Sequence, residues 1–239
     1  MITLLIFAGG RGTRLFGPNG GCKAATKLTD DLSLISYALF EGIPLSLTPP
    51  AVLLSTDGCE ELPDSLGQWR PPVDVIRAPA GGTARAVVDL LARSAEQISV
   101  VLPGDVVGER GALNDFIKQA TRIVRESGGP LCVIATTDIA PDESDPGFVV
   151  STEAGIVLEL GKGATPTEET WVGVRVLNQA FARLYVESWD GQRDDEQQMS
   201  NLATHLLGSV RSLRCASLFD VDDELSLSRA RVLASGWGY

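Results

Sequence analysis

A glycine-rich segment with several basic side chains follows the first apolar run of the sequence. Residues 8–15 read Ala-Gly-Gly-Arg-Gly-Thr-Arg-Leu, and residues 8–27 contain no acidic residue but four basic ones, Arg11, Arg14, Lys23 and Lys27. Glycine adopts the backbone dihedral angles that let a turn direct several N–H groups at one anion. Because the whole chain carries a net charge of −11, this locally positive segment indicates a polyphosphate site. The alternative is a loop that only turns the chain.

The segment matches neither of two common nucleotide-binding motifs. The dinucleotide motif G-x-G-x-x-G, counted from Gly10, has Leu15 at its third glycine position. The P-loop motif G-x-x-x-x-G-K-[ST] fails over Gly17–Lys23, where Cys22 precedes the lysine and Ala24 follows it. A dehydrogenase and a P-loop nucleotidase are therefore both disfavoured.

Two aspartates, Asp105 and Asp220, stand at the ends of apolar runs. An acid at such a position is costly unless it has a function. Two carboxylates from separate strand ends form a hard oxygen site that suits Mg²⁺, an ion that bridges phosphates. The alternative is that Asp105 caps a turn and that Asp220 or Asp222 caps the last helix.

Short apolar runs alternate with helical patterns over the first 135 residues. Five runs have the length and composition of buried strands: Thr3–Ala8, Ala51–Ser55, Val73–Ile76, Ser99–Leu102 and Leu131–Ala135. Helical patterns at 83–94 and 112–126 lie between them. This alternation predicts an α/β fold with a doubly wound sheet that is parallel at its centre. In such sheets ligands bind outside the carboxyl ends of the strands, where the glycine-rich turn would lie.

The second half of the sequence has a different pattern. A hairpin-like pair of strands, Gly147–Thr152 and Gly155–Leu160, is joined by Glu153-Ala154. Two later strands are predicted over Trp171–Leu177 and Arg214–Val221. Helices are predicted to start at Asn178 and at Asp222-Asp223. The charged stretch 188–198 is expected to be a surface excursion. We see no linker and predict one domain over 1–239, with a nucleotide-binding part of about 1–135 and an acceptor-binding part of about 136–239.

Composition excludes several classes of protein. A pI near 4.6 disfavours nucleic-acid and anionic-membrane surfaces, which need a basic face. The apolar N-terminus lacks the basic residues of a signal peptide, and we expect a cytoplasmic protein. One histidine and four dispersed cysteines, Cys22, Cys59, Cys132 and Cys215, make a Cys/His zinc site improbable and favour a reducing compartment over a disulfide scaffold.

Residues 7–15, Phe-Ala-Gly-Gly-Arg-Gly-Thr-Arg-Leu, resemble the L-A-G-G-x-G-T-R-L signature of the sugar-phosphate nucleotidylyltransferases, the pyrophosphorylases of nucleotide-sugar biosynthesis. Further segments resemble other motifs of that family in the same order: Gly82–Ala86, Val100–Asp105, Gly147–Val150, Gly161-Lys162, Thr170–Gly173 and Asp220–Asp222. The resemblance implies a Rossmann-like, GT-A-like fold: a mixed, mostly parallel central sheet flanked by helices, with a small β-hairpin on the acceptor side. It implies Mg²⁺-dependent transfer of a nucleotidyl group from an NTP to a sugar 1-phosphate, with release of pyrophosphate.

The resemblance also implies roles for individual residues. Arg14 would contact the β- and γ-phosphates, and Lys23 would neutralise the α-phosphate. The metal ligands would be Asp105 and Asp220, with Asp222 as the other candidate beside Asp220. The nucleotide would lie against Ala8, Gly9, Gly10, Gly12, Thr13, Gly82, Thr83 and Gly104. Gly82 and Thr83 would open a helix, and a packing role for the glycine at a strand–helix turn explains this pair equally well.

The sequence departs from the family pattern at several positions. Cys22 and Ala24 replace the two prolines that flank the family's lysine, so Lys27 is an alternative to Lys23. The resemblance gives the acceptor site Gly147, Lys162 and Trp171, but Gly161 stands where the family has a glutamate and Trp171 where many members have asparagine. The acceptor is therefore open: a non-sugar phosphate or phosphonate is one alternative, and an inactive nucleotide-binding homologue is another. The sequence leaves the oligomeric state open, with a homodimer as one option.

Overall fold

A computed structural model describes residues 2–8, 12–17, 20–45, 48–55, 59, 62, 66, 69–70, 72–78, 82–94, 97–138, 149–161 and 169–237. Its strands are β1 (Ile2–Ala8), β2 (Ala51–Ser55), β3 (Asp74–Ala78), β4 (Ile98–Pro103), β5 (Val106–Val107), β6 (Cys132–Thr137), β7 (Val149–Glu153), β8 (Ile156–Gly161), β9 (Thr170–Asn178), β10 (Val210–Arg214) and β11 (Phe219–Asp220). Its helices are α1 (Thr13–Phe16), α2 (Leu34–Gly42), α3 (Gly82–Arg93), α4 (Ala112–Arg125), α5 (Gln179–Ser188), α6 (Asp195–His205) and α7 (Glu224–Ser235). Short 3₁₀ turns span Lys23–Ala25 and Ile43–Leu45.

Nine of these strands form one mixed sheet in the order β3-β2-β1-β4-β9-β6-β10-β8-β7. Strands β3, β2, β1 and β4 are parallel to one another, and β10 is parallel to β6. Strand β9 lies between β4 and β6 and is antiparallel to both. The predicted α/β fold, with a mixed central sheet flanked by helices, is confirmed.

Alternating side chains of the central strands enter two cores, one on each face of the sheet. In β1, Leu4 and Ile6 pack in the core that contains α2, α4 and α7, whereas Leu5 packs in the core that contains α3, α5 and α6. All six residues of β4 are buried. The continuous apolar runs of the sequence reflect this double coverage, because a strand buried on both faces needs apolar residues at every position.

The predicted hairpin on the acceptor side is formed by β7 and β8, which pair antiparallel. Its turn is Ala154-Gly155, one residue beyond the predicted Glu153-Ala154. Both turn residues have positive φ, +52° at Ala154 and +78° at Gly155, as a two-residue turn between twisted strands requires. The glycine supplies that conformation without a steric cost.

The prediction of one strand over Arg214–Val221 is wrong. The chain turns after β10, where the N–H of Leu218 donates to the carbonyl of Cys215 at 3.1 Å. Strand β11 then leaves the main sheet and pairs antiparallel with β5 in a two-stranded sheet. The apolar pattern spans both strands and gives no sign of the change of partner.

The charged stretch 188–198, predicted as a surface excursion, contributes one residue, Asp195, to a buried ion pair. Asp195 is the first residue of α6 and accepts two hydrogen bonds from the guanidinium of Arg175 in β9 and one from the hydroxyl of Tyr185. Arg175 and Asp195 are 0% and 3% exposed. Burial of both charges is tolerated because they pair in a bidentate geometry. The sequence signal for this pair is Arg175, a lone charge within an apolar strand.

Two of the four cysteines form a disulfide, between Cys22 and Cys59, with Cα atoms 4.7 Å apart. Cys132 and Cys215 are free thiols. The expectation of dispersed thiols is therefore wrong for this pair. The two cysteines follow the carboxyl ends of β1 and β2, which are adjacent parallel strands, so a pair 37 residues apart in sequence comes together at one edge of the sheet.

No helix in the described part of the chain has the length and apolar character needed to cross a membrane. The cytoplasmic location, the single domain and its division near residue 135 stay predictions.

Candidate active site

The ends of β1 and β4 meet at the carboxyl edge of the parallel half of the sheet. Gly104 follows β4, and its N–H donates to the carbonyl of Phe7 in β1 at 2.9 Å. A Cβ atom at Gly104 would lie 3.3 Å from the Cβ of Ala8 and 3.2 Å from that of Ala24. These distances are shorter than ordinary carbon contacts, so glycine at this position lets the turn that carries Lys23 pack directly against the strand ends.

The small β5–β11 sheet brings the two predicted metal ligands together. Asp220 in β11 lies opposite Val106 in β5, and the N–H of Val221 donates to the carbonyl of Asp105 at 3.1 Å. Loss of hydration at the site raises the pKa of Asp220 well above its ordinary value, and the charges of Asp105 and Asp222 raise it further. Asp105 and Asp220 therefore come from distant parts of the sequence to one cluster of negative charge.

Lys23 lies within this acidic cluster. Its Nζ is 2.7 Å from Oδ2 of Asp105 and donates a hydrogen bond to Oδ1 of Asp222. Its side chain is 11% exposed, and burial alone lowers the pKa of an ammonium group. The attraction of Asp105 and Asp222 outweighs that effect and raises the pKa of Lys23 above its ordinary value, so the lysine is a fixed cation at neutral pH.

Lys27, the alternative to Lys23, lies elsewhere. Its ammonium donates to the backbone carbonyl of Asp30 at 3.2 Å, and its residue is exposed. The structure thus brings Lys23, and not Lys27, to the carboxylates at the strand ends.

Asp222 has a position that the sequence interpretation did not foresee. Its Oδ1 accepts from Lys23, and its Oδ2 is 3.7 Å from Nη1 of Arg14. One carboxylate thus lies between the two cations that were predicted to receive phosphates. The capping role considered for Asp220 or Asp222 belongs to Asp223 instead, whose side chain accepts from the N–H of Ser226 at the start of α7.

The donor set fits a magnesium ion without forming a complete metal cage. Asp105 and Asp220 offer two carboxylates, the hard oxygen ligands that Mg²⁺ uses together with substrate phosphates and water. Among the described residues, no group of three or more His, Cys, Asp or Glu side chains is arranged to hold a metal. The magnesium site stays a prediction.

The predicted nucleotide-binding residues fall partly within the described structure. Ala8 is buried at the end of β1, Gly12 precedes α1 with φ of +53°, and Gly82 and Thr83 open α3 at exposed positions. Gly9, Gly10 and the side chain of Thr13 lie outside the described residues.

Trp171 is the one predicted acceptor residue that the structure describes, since Gly147 and Lys162 lie outside the described ranges. It is 2% exposed, and its indole N–H donates to the carbonyl of Val174 at 3.2 Å. The guanidinium of Arg175 lies 4.8 Å from the centre of its ring. These contacts give Trp171 a packing role beside the buried ion pair. Its contact with an acceptor stays a prediction.

Two solved structures share this arrangement of strands and helices. The inositol-1-phosphate CTP transferase from T. maritima superposes with a TM-score of 0.78 at 16% identity and covers 98% of this chain and 94% of its own. A Bacillus anthracis protein assigned as a glucose-1-phosphate thymidylyltransferase, solved with sucrose, has a TM-score of 0.79 at 16% identity, with coverages of 100% and 97%. The sequence matches no protein-family model and no curated protein.

These likenesses define the class of fold. The chain has the α/β fold found in nucleotidyltransferases that act on phosphorylated acceptors, and the likeness extends over essentially its whole length. The fold that the resemblance of the ordered motifs implies is therefore confirmed.

Proposed function

We propose that this protein is a nucleotidylyltransferase that transfers an NMP group from an NTP to a sugar 1-phosphate and releases pyrophosphate. The observation that carries the proposal is the meeting of Lys23, Asp105 and Asp220 at the carboxyl edge of the sheet. That edge is where open α/β sheets bind ligands. The shared fold with two nucleotidyltransferases supports the same class of reaction.

The proposed reaction needs positioning and charge neutralisation more than acid–base catalysis. An oxygen of the acceptor phosphate forms a bond to the α-phosphorus, and the bond from that phosphorus to the oxygen bridging to the β-phosphate breaks. Phosphate monoesters are already ionised near pH 7, so the acceptor requires no general base. Negative charge that develops on the α-phosphate is stabilised by a cation held in place beforehand.

Lys23 is the side chain that fits this role. Its ammonium is charged at neutral pH, largely removed from bulk water and held by two carboxylates. A fixed charge in such a setting interacts with an anion more strongly than an exposed one does. We infer that Lys23 donates to the α-phosphate, while Mg²⁺, held by Asp105 and Asp220, supplies further positive charge to the phosphates when bound.

Arg14 and Asp222 complete the proposed phosphate-binding site. The side chain of Arg14 is 58% exposed, so its guanidinium can reach the β- and γ-phosphates of an incoming triphosphate. Asp222 lies between Arg14 and Lys23 and keeps both cations facing the site. We therefore assign Asp222 to the positioning of these cations, and Asp220 to the metal.

Inositol 1-phosphate or another non-sugar phosphate is the second candidate acceptor. Gly161 stands where the resembled family has a glutamate, and one structural neighbour is named as an inositol-1-phosphate CTP transferase. Phosphonates belong to the same alternative, because they present the same anionic oxygens.

The deciding experiment measures pyrophosphate release with each of four NTPs, in the presence and absence of Mg²⁺. The acceptor panel contains sugar 1-phosphates, inositol 1-phosphate and non-sugar phosphates and phosphonates. We expect turnover with one NTP and one acceptor class, and loss of turnover when the metal is chelated. Calorimetric binding of an NTP without turnover on any acceptor would favour an inactive nucleotide-binding homologue. The absence of both NTP binding and turnover would contradict the proposal.

A further inference from the structure

The residue directly before Lys23 is covalently bonded to a distant part of the chain. Cys22 forms the disulfide with Cys59, and it precedes the 3₁₀ turn Lys23–Ala25. The carbonyl of Cys22 accepts from the N–H of Ala25 at 3.1 Å, so Cys22 also helps to form that turn. The disulfide thus acts one residue before the backbone position from which the Lys23 side chain extends.

The chain just before Cys22 is rich in glycine. It contains Gly17, Gly20 and Gly21, and Gly17 and Gly20 have positive φ. Glycine has more backbone freedom than any other residue and loses more of it when it is fixed. The preceding helix α1 has only four residues. Lys23 therefore follows glycine positions that are costly to fix, and the disulfide adds a covalent restraint directly beside them.

Cys59 provides a firm attachment point. It is 3% exposed, and Leu62 and Leu66, which follow it, are each 1% exposed within the core on the α2 side of the sheet. The N–H of Leu62 donates to the carbonyl of Cys59 at 3.4 Å. The disulfide therefore connects the Lys23 turn to the core, and Cys22 itself is only partly buried and can be reached by a thiol reagent.

We propose that the Cys22–Cys59 disulfide is a positioning element for Lys23 and that its reduction lowers the rate of the transfer reaction. The inference rests on the proposed function for its effect on rate, and on the disulfide alone for its effect on the position of the turn. A dithiol reductant supplies two electrons and two protons, which gives two protein thiols and one oxidised dithiol. Oxidised glutathione reverses the step and leaves two molecules of reduced glutathione.

The first test measures the tether without reference to catalysis. Thiol titration of the denatured chain counts two thiols before reduction and four after it, and denaturation is needed because burial raises the pKa of Cys132 to about 12. Amide hydrogen exchange over residues 20–26 is then compared in the oxidised chain, the reduced chain and the variants Cys22→Ser and Cys59→Ser. We expect faster exchange in all three forms that lack the disulfide. The matched control Cys215→Ser keeps the slow exchange of the oxidised chain.

Two thiols gained on reduction without any change of exchange over residues 20–26 would overturn the inference, whatever the activity. Four thiols before reduction would overturn it as well. Circular dichroism of each form shows whether the fold is intact, and reduction of the unsubstituted chain provides the comparison if a serine variant fails to fold. Since these readouts need no substrate, failure of the proposed function leaves them interpretable.

The second test measures the rate. Reduction is expected to lower kcat on the order of 10-fold, because small displacements of a catalytic group are costly, while the KM for the NTP changes little. Oxidised glutathione restores kcat in the unsubstituted chain and in Cys215→Ser, but not in Cys59→Ser. In a Lys23→Ala background the redox state should leave the residual rate unchanged. An equal loss on reduction in that background would show that the disulfide acts on something other than Lys23.

Discussion

Lys23 and Asp222 illustrate how single side chains are assigned within the cluster at the strand ends. The sequence offers three aspartates as candidate metal ligands and two lysines as candidates for contact with the α-phosphate. The sequence pattern alone does not decide among them. The structure separates the lysines by their contacts, because Lys23 meets Asp105 and Asp222 whereas Lys27 meets a backbone carbonyl. The aspartates differ as well: Asp222 contacts two cations, whereas burial and the charges of Asp105 and Asp222 raise the pKa of Asp220.

Lys23→Ala should lower kcat by about 10²-fold or more, the usual cost of removing a group that stabilises charge in the transition state. Lys27→Ala is the matched control, since it removes the same side chain from an exposed position four residues away. Steady-state pyrophosphate release with the NTP identified by the substrate panel gives both rates. Equal rates for the two variants would show that Lys23 does not act on the α-phosphate.

Asp220→Asn and Asp222→Asn should have different effects if the assignment is right. Loss of Asp220 removes a metal ligand, so the Mg²⁺ concentration at half-maximal rate should rise. Loss of Asp222 should lower kcat, because Lys23 and Arg14 lose the carboxylate between them, and should leave the Mg²⁺ requirement unchanged. The KM for the NTP should fall or stay constant in Asp222→Asn, since a negative charge near the phosphates is gone. Magnesium titrations of both variants decide the matter, and identical shifts would contradict the assignment.

At the scale of elements, the buried ion pair joins helix α6 to strand β9. The guanidinium of Arg175 lies 4.8 Å from the ring centre of Trp171 and 5.9 Å from that of Tyr185, and Asp195 accepts its hydrogen bonds. Burial lowers the pKa of Arg175, but the adjacent carboxylate outweighs burial and raises that pKa above its ordinary value. Burial also raises the pKa of Tyr185, and the charge of Asp195 adds to it, so this hydroxyl stays protonated as a hydrogen-bond donor.

Asp195→Asn should lower the free energy of unfolding by roughly 3–5 kcal/mol, because it leaves a buried guanidinium without its counter-charge. Asp190→Asn is the control: its exposed pair with Arg193 should leave the unfolding free energy nearly unchanged, since water screens such pairs. Urea denaturation followed by circular dichroism measures both. Similar midpoints for the two variants would mean that the pair contributes little.

The sequence predicts those elements whose pattern is set by burial on the sheet. The strands of the first half and helices α3 and α4 lie where apolar runs and helical spacing predict them, because burial against the sheet sets the pattern of apolar residues in each of these segments. The errors occur where a distant partner decides the outcome. Asp195 is buried only because Arg175 is opposite it, β11 is separate only because β5 takes it as partner, and Cys22 is oxidised only because β1 and β2 are adjacent.

For the molecule as a whole, the disulfide closes a loop between residues 37 apart. In the chain-entropy treatment, a loop of that size stabilises the folded state by about 4 kcal/mol, since it restricts the unfolded chain. Denaturation with and without a dithiol reductant should therefore show a loss of roughly this size. The variant Cys59→Ser should match the reduced chain and be insensitive to reductant. A stability that is the same in both redox states would mean that native strain cancels the entropic gain.

Strand β9 has a consequence for how the protein could respond to its substrates. It hydrogen-bonds β4 on one side and β6 on the other, so the proposed nucleotide-binding and acceptor-binding parts belong to one continuous ladder. Moving these parts apart as rigid lobes would break the rows of backbone hydrogen bonds that join β9 to its neighbours. We therefore expect any closing motion to arise in the connections beyond the strand ends, while the sheet beneath them keeps its shape.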